Sequence, residues 1–235
     1  MLSKRILRIN KDLLSKIESD KYKGYDPYDY LNSKLFKSTP LNNLYLTRLL
    51  WIQLGKRSPI NFRKILLVPK ERNAKGISLI ILGLINDFQR TQDEYYLNEA
   101  KIIANWLINT RVDRNKWKYP AWSYNFDWQS KAFYVQKGTP NVIATVYAAR
   151  ALHKLAKIIN DKKMQEISIK AAFFIQEKLL LEKANKTFIR YIPNQNTFVH
   201  NANLWGAAWI SKIGREINNK KMLDNSLDCT YETLR

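Results

Sequence analysis

The chain has 235 residues, 46% of them hydrophobic and 12% aromatic, with only 7 glycines and 7 prolines. That composition excludes a disordered or collagen-like chain and allows a substantial core. Forty lysines and arginines against twenty acidic residues leave a net charge of +20, and a single cysteine, Cys229, excludes an internal disulfide or a cysteine-rich metal site.

In chain order, residues 2–19 and 41–55 read as helices from their apolar spacing. The longest apolar run, Ile77 to Ile85, is too short to cross a bilayer and belongs to a helix over about 74–92. Asp93 is placed to cap the next helix, which runs to about Thr110. From Thr139 another start is expected, with Thr139 as cap and Pro140 in the first turn. Its apolar stripe is Val142, Val146, Ala149, Leu152, Ala156 and Ile159. Asn160-Asp161 reads as a turn and cap, after which Met164, Ile167, Ala171, Phe174 and Ile175 repeat the stripe. Helices over about 201–217 and from about Lys221 to Arg235 close the series, with Asn201 as a candidate cap.

Helices paired through such short turns are αα-hairpins. Their recurrence is a weak repeat of about 60–65 residues, and setting Asn141 against Asn203 places Ala144 over Gly206. The expected fold is all-α, with consecutive αα-hairpins closing into an α/α toroid over 1–235 that stops short of a full ring at its C-terminus. An open helical solenoid would give the same periodicity. The opening MLSKRILRIN lacks the apolar stretch and small-residue site of a secretory leader, so a soluble cytoplasmic protein is expected.

The long connections, 111–139 and 183–200, fall at the same end of successive hairpins and hold the candidate chemistry. The first contains Trp122, Tyr124, Asp127, Trp128 and Gln129 and leads into Asn141. Flat rings beside carboxylate and amide groups suit sugars, whose C–H faces stack while their hydroxyls take paired donors and acceptors. The same aromatics could instead plug the end of the barrel. The second contains Arg190, Tyr191, His200, Asn201 and Asn203. Here His200 can serve as general acid or base and Arg190 or Asn201 as anion partner, or the histidine can be structural. A third stretch, GYDPYDYLN at 24–32, reads as a turn and cap around Asp26 and Asp29.

Absent motifs narrow the chemistry. Without a phosphate-cradling glycine loop, GxGxxG, HExxH, GxSxG or a zinc-spaced Cys/His set, no cofactor and no metal is expected. The basic residues are spread along the chain and form no Arg-rich arm, which disfavours nucleic acid as the partner.

Phe126-Asp127-Trp128-Gln129, Gly138-Thr139-Pro140-Asn141, Tyr191-x-Pro193 and His200-Asn201-Ala202-Asn203 resemble markers of a bacterial and archaeal family associated with cell-surface polysaccharide gene clusters. The resemblance covers about residues 24–215. It implies an α/α toroid like the six-hairpin glycosidases, polysaccharide lyases and uronyl epimerases, and a setting in glycan metabolism. Its members continue into a further aromatic- and histidine-bearing loop. The expected partner is an oligo- or polysaccharide, anionic ones included, with Asp127 and His200 as catalytic groups in a hydrolase, lyase or epimerase. A non-catalytic glycan-binding or assembly protein and an isoprenoid-handling toroid are the alternatives, the last weakened by the lack of a DDxxD-like run.

Overall fold

Three dipeptides set the hairpins apart. In the computed structural model, which describes residues 2–113, 115–183 and 186–234, Gln92, Asn160 and Asn218 adopt left-handed backbone with φ of 58°, 54° and 53°. Each ends one helix, a conformation asparagine tolerates better than most residues. The next residue caps the following helix. Asp93 accepts from the Tyr95 N–H, Asp161 from Met164 and Asn219 from Met222, at 3.0, 2.9 and 3.0 Å. Replacing Asp161 or Asn219 by alanine is expected to cost about 1 kcal/mol each, read as a lower urea midpoint with unchanged slope.

The chain forms two compact units, Met1–Asn73 with Asn125–Gln129, and Ala74–Tyr124 with Ser130–Arg235. The first holds helices α1 (Leu2–Ser19), α2 (Lys34–Lys37) and α3 (Tyr45–Arg57). The third starts four residues later than the periodicity suggested, because Pro40–Asn43 forms a separate 3-10 turn. Ser33 caps α2 by accepting from the Phe36 N–H, and its hydroxyl donates to Leu66 O. Tyr30 and Leu31 anchor the core, with Phe36 and Trp51 stacked 4.7 Å apart. The stretch at 24–32 is a turn. Asp26 accepts from the Tyr28 N–H, and buried Asp29 pairs with Arg63 at 2.8 Å. Burial raises the Asp29 carboxyl above its usual range, while Arg63 pulls it back.

The second unit contains α4 (Ala74–Thr91), α5 (Glu94–Asn109), α6 (Val142–Ile159), α7 (Lys162–Phe174), α8 (His200–Glu216) and α9 (Lys220–Leu234). The expected end of the last helix at Arg235 lies outside the described residues. Helices α4, α6 and α8 lie side by side, and α5, α7 and α9 each pack on the helix before them. Central α6 is buried at nearly every position through Leu155, which its alanines at 144, 148, 149 and 151 permit by letting neighbours approach closely. Gly206 of α8 serves the same end, since a Cβ there would lie 2.8 Å from Ile189 and 3.1 Å from Val142.

The repeat is real but its register differs from the expected one. The turn residues are 68 and then 58 residues apart, so Val142 corresponds to His200 and Thr145 to Asn203. The second long connection is also more ordered than a loop. A π-helical turn, Ile175–Leu179, extends α7 into an antiparallel hairpin in which Leu180–Lys183 pairs with Lys186–Ile189. Among the described residues, no helix is long and apolar enough to cross a membrane.

Candidate functional site

The start of α6 is where the two long connections of the second unit meet. The cap is Asn141, not Thr139; its Oδ1 accepts from the Ala144 N–H at 2.8 Å, and Pro140 therefore precedes the helix. The Asn141 N–H donates to Trp122 O, and the Val142 N–H donates to Tyr191 O, each at 3.0 Å. Gly138, at φ 87°, donates its N–H to Tyr124 O. Thr145 of α6 accepts from the Trp122 N–H at 3.0 Å. Four predicted residues, Trp122, Tyr124, Asn141 and Tyr191, are thereby held around one helix end.

Their side chains differ in what they leave available. Trp122 is fully buried and its indole N–H donates to Leu107 O at 2.7 Å. Asn141 is also fully buried, with its Oδ1 on the cap. Tyr124 and Tyr191 meet hydroxyl to hydroxyl at 2.5 Å, and the Phe133 ring lies 5.4 Å from that of Tyr191. Arg190 donates to Leu179 O from Nε and to Lys178 O from Nη2, which ties it to the π-helical turn.

At the start of α8 the cap position is Val199, which offers no side-chain bond, so Asn201 lies inside the helix and not at its cap. His200 is exposed, with its ring edge-on to Phe198 at 4.5 Å, and Asn201 is exposed beside it. Asn203 faces inward, fully buried, accepting from the Ile189 N–H and donating to Cys229 O and Thr233 Oγ1.

Asp127, Trp128 and Gln129 belong to the first unit. Asp127 is buried and pairs with Lys37 at 2.7 Å. Arg48 donates to Gln129 Oε1 at 3.0 Å, and Trp128 sets its ring edge-on to Tyr28 at 6.3 Å.

Other polar groups are accounted for elsewhere. His153 is buried between Ser168 and Glu216, at 2.9 and 3.0 Å, and burial lowers its affinity for a proton. Burial, with Asp228 and Glu182 nearby, pushes the Cys229 thiol up to about 12, so it is no nucleophile at neutral pH. Among the described residues no His, Cys, Asp and Glu cluster could hold a metal ion. Two cavities, of about 370 Å³ beside α5 and α7 and about 710 Å³ along α3, include none of the predicted site residues.

Sequence reasoning missed a third group on the open face of α6 and α8. Tyr147 and Trp205 lie 5.0 Å apart, Lys75 sits 5.1 Å over Tyr147, and Arg150 sits 4.7 Å over Trp205. In the 58-residue register Tyr147 and Trp205 are equivalent positions, so the correct alignment contains the signal.

No protein-family model matches the sequence, and none of the curated proteins is similar to it in sequence. Solved structures do match in fold. A glycoside hydrolase family 76 mannosidase from Bacteroides thetaiotaomicron is similar at TM-score 0.51 and 11% identity over 87% of this chain and 57% of that one. Cellobiose 2-epimerase from Bacillus thermoamylovorans is similar at TM-score 0.54 and 10% identity over 89% of this chain and 65% of that one. An inactive variant of an alpha-1,6-mannanase of Salegentibacter sp., in complex with alpha-1,6-mannotriose, is similar at TM-score 0.50 and 11% identity, over 90% and 61%. The chain thus spans less than two thirds of each of these proteins. Its fold is that of the α/α toroids, built of consecutive αα-hairpins.

Proposed function

We propose that the protein is glycan-active, in cell-surface polysaccharide metabolism, and that its second unit takes an oligosaccharide at the N-terminal ends of α6 and α8. The observation that carries this reading is the Tyr124–Tyr191 hydroxyl pair, 2.5 Å apart, on loops that are bonded to the first turn of α6. Two phenols sharing so short a bond can pass a proton between them, and while Tyr191 is buried against Phe133, half-buried Tyr124 keeps ring surface for a sugar. His200, exposed in the first turn of α8, is the general acid or base in this reading, and Asn201 supplies an amide for hydroxyl recognition. The known toroids of similar fold include a mannosidase and an epimerase, which fits both hydrolysis and proton abstraction beside a carbonyl.

The test is mass spectrometry of alpha-1,6-mannooligosaccharides, cellobiose and acidic oligosaccharides after incubation with the protein, with deuterium uptake from heavy water. Added water marks a hydrolase, an unsaturated product a lyase, and deuterium without mass loss an epimerase. His200→Ala and Tyr191→Phe are expected to lower turnover by about 100-fold or more, the usual worth of a positioned proton-transfer group. Asp127→Asn tests the first unit's carboxylate independently. No product and no binding across the panel would overturn the reading.

A second reading, glycan binding without turnover, is favoured by one observation: Asp127 is buried in an ion pair with Lys37. It requires saturable binding with neither mass change nor deuterium uptake, and Asp127→Asn would then leave no turnover to lose.

A further inference from the structure

Helices α4, α6 and α8 run parallel, because contacts join equivalent heights along them. Lys75 at the start of α4 meets Tyr147 near the start of α6, and Lys154 reaches Asn86 at 2.6 Å two turns further on. Lys157 meets Glu216 at 2.9 Å near the far end. The 68- and 58-residue offsets therefore lay residues out in rows across the open face of this layer. Leu79, Tyr147 and Trp205 form an apolar and aromatic row, in which Leu79 is half exposed.

The rows beyond it are cationic. Leu82, Arg150 and Ala208 form one, and Asn86, Lys154 and Lys212 the next; no acidic residue stands in either. Glu216 is the carboxylate close by, and it is already engaged by Lys157, His153 and Gln165. Arg150 and Lys212 have no ion-pair partner among the described residues; each instead lies over an indole, Arg150 over Trp205 and Lys212 over Trp209. Stacking fixes a guanidinium's plane and leaves its edge donors for an anion. Burial first, and then Lys157 and Arg150, lower the proton affinity of Lys212, while Glu216 partly offsets them.

We propose that this face binds an acidic oligosaccharide, with the Tyr147–Trp205 pair stacking a sugar ring and Arg150, Lys154 and Lys212 receiving its carboxylate or phosphate groups. The proposal rests on the glycan-active reading and narrows it to acidic sugars. What supports it is the placing of these cations beside Tyr147 and Trp205, a tilted ring pair 5.0 Å apart at repeat-equivalent positions.

Calorimetric titration of the full chain tests it with four probes: a hexameric oligogalacturonate, a phosphate-bearing mannooligosaccharide, neutral alpha-1,6-mannohexaose and a single-stranded oligonucleotide. At least one acidic sugar is expected to bind about tenfold tighter than the neutral one at low salt, and the two acidic arms tell carboxylate from phosphate. Arg150→Gln combined with Lys154→Gln is expected to lower acidic-sugar affinity about tenfold and leave the neutral sugar unchanged. Trp205→Ala should weaken both. Neutral sugar bound as tightly as acidic, charge variants without effect, or the oligonucleotide bound tightest would each overturn the acidic-sugar assignment and leave the glycan reading standing. If none of the sugars binds, both fall.

Discussion

Asn203→Ala is expected to lower the unfolding free energy by about 2–4 kcal/mol, because the change strands buried polar groups that have no water to turn to. The side chain is fully buried in α8 and brackets two separate elements. Its Oδ1 accepts from the Ile189 N–H at 2.8 Å, at the end of the hairpin that follows α7. Its Nδ2 donates to Cys229 O at 2.6 Å and Thr233 Oγ1 at 2.8 Å, both in α9. Alanine removes all three bonds and leaves a small void. The measurement is urea unfolding followed by far-ultraviolet circular dichroism, with the loss appearing in the midpoint at unchanged slope. A loss below about 1 kcal/mol would mean that the bracket contributes no more than an ordinary exposed hydrogen bond. Asn203 was also a candidate sugar ligand, so oligosaccharide binding per folded molecule separates the two roles. If Asn203 serves only as a bracket, the affinity of the folded fraction is unchanged.

Gly55→Ala should be comparably severe, at about 3 kcal/mol, for the opposite reason: it adds an atom where there is no room. Gly55 lies in the last turn of α3, buried against Tyr30, and a Cβ built there would overlap the Tyr30 ring carbons. The ring cannot swing aside easily. It is 1% exposed, Arg63 lies 4.5 Å over its face, and the Trp51 indole donates to its backbone carbonyl. An alanine would favour the helix intrinsically by about 1 kcal/mol, so a net loss isolates the steric cost. Unfolding monitored by tryptophan fluorescence tests this, since Trp51 belongs to the same cluster. Gly83 is the control: a Cβ there meets nothing within 4 Å, so Gly83→Ala should be neutral or slightly stabilising.

The two asparagines that mark the repeat show where local reading stops. The sequence pattern set Asn141 against Asn203 as repeat equivalents and offered Thr139 and Asn201 as the caps of the two helices. Asn141 caps α6, while its apparent counterpart sits three residues inside α8. The true counterpart of Asn203 is Thr145. Both occupy the fourth position of their helix and accept a backbone N–H from an incoming segment, Thr145 from Trp122 and Asn203 from Ile189. That role exists only once the loop and the hairpin have been brought against the helix. Trp122 makes the same point. Its loop was legible as aromatic-rich, but whether the ring would face a ligand or the core depended on Leu107 O, fifteen residues away.

What the sequence determined by itself is the all-α hairpin architecture. A 3.6-residue apolar period and a left-handed residue followed by a cap are written within a few residues of each other, because the hydrogen bonds they serve are local. What only the tertiary structure decided is which side chains those helices spend on holding one another and which they leave open. Asn203, Arg190 and Trp122 are committed to backbone partners, and Tyr147, Arg150, Trp205 and Lys212 remain on a free face. That division rests on contacts between segments far apart in the chain. Burial makes an unpaired polar group costly, so the assembled packing, and not the local pattern, assigns each one its partner.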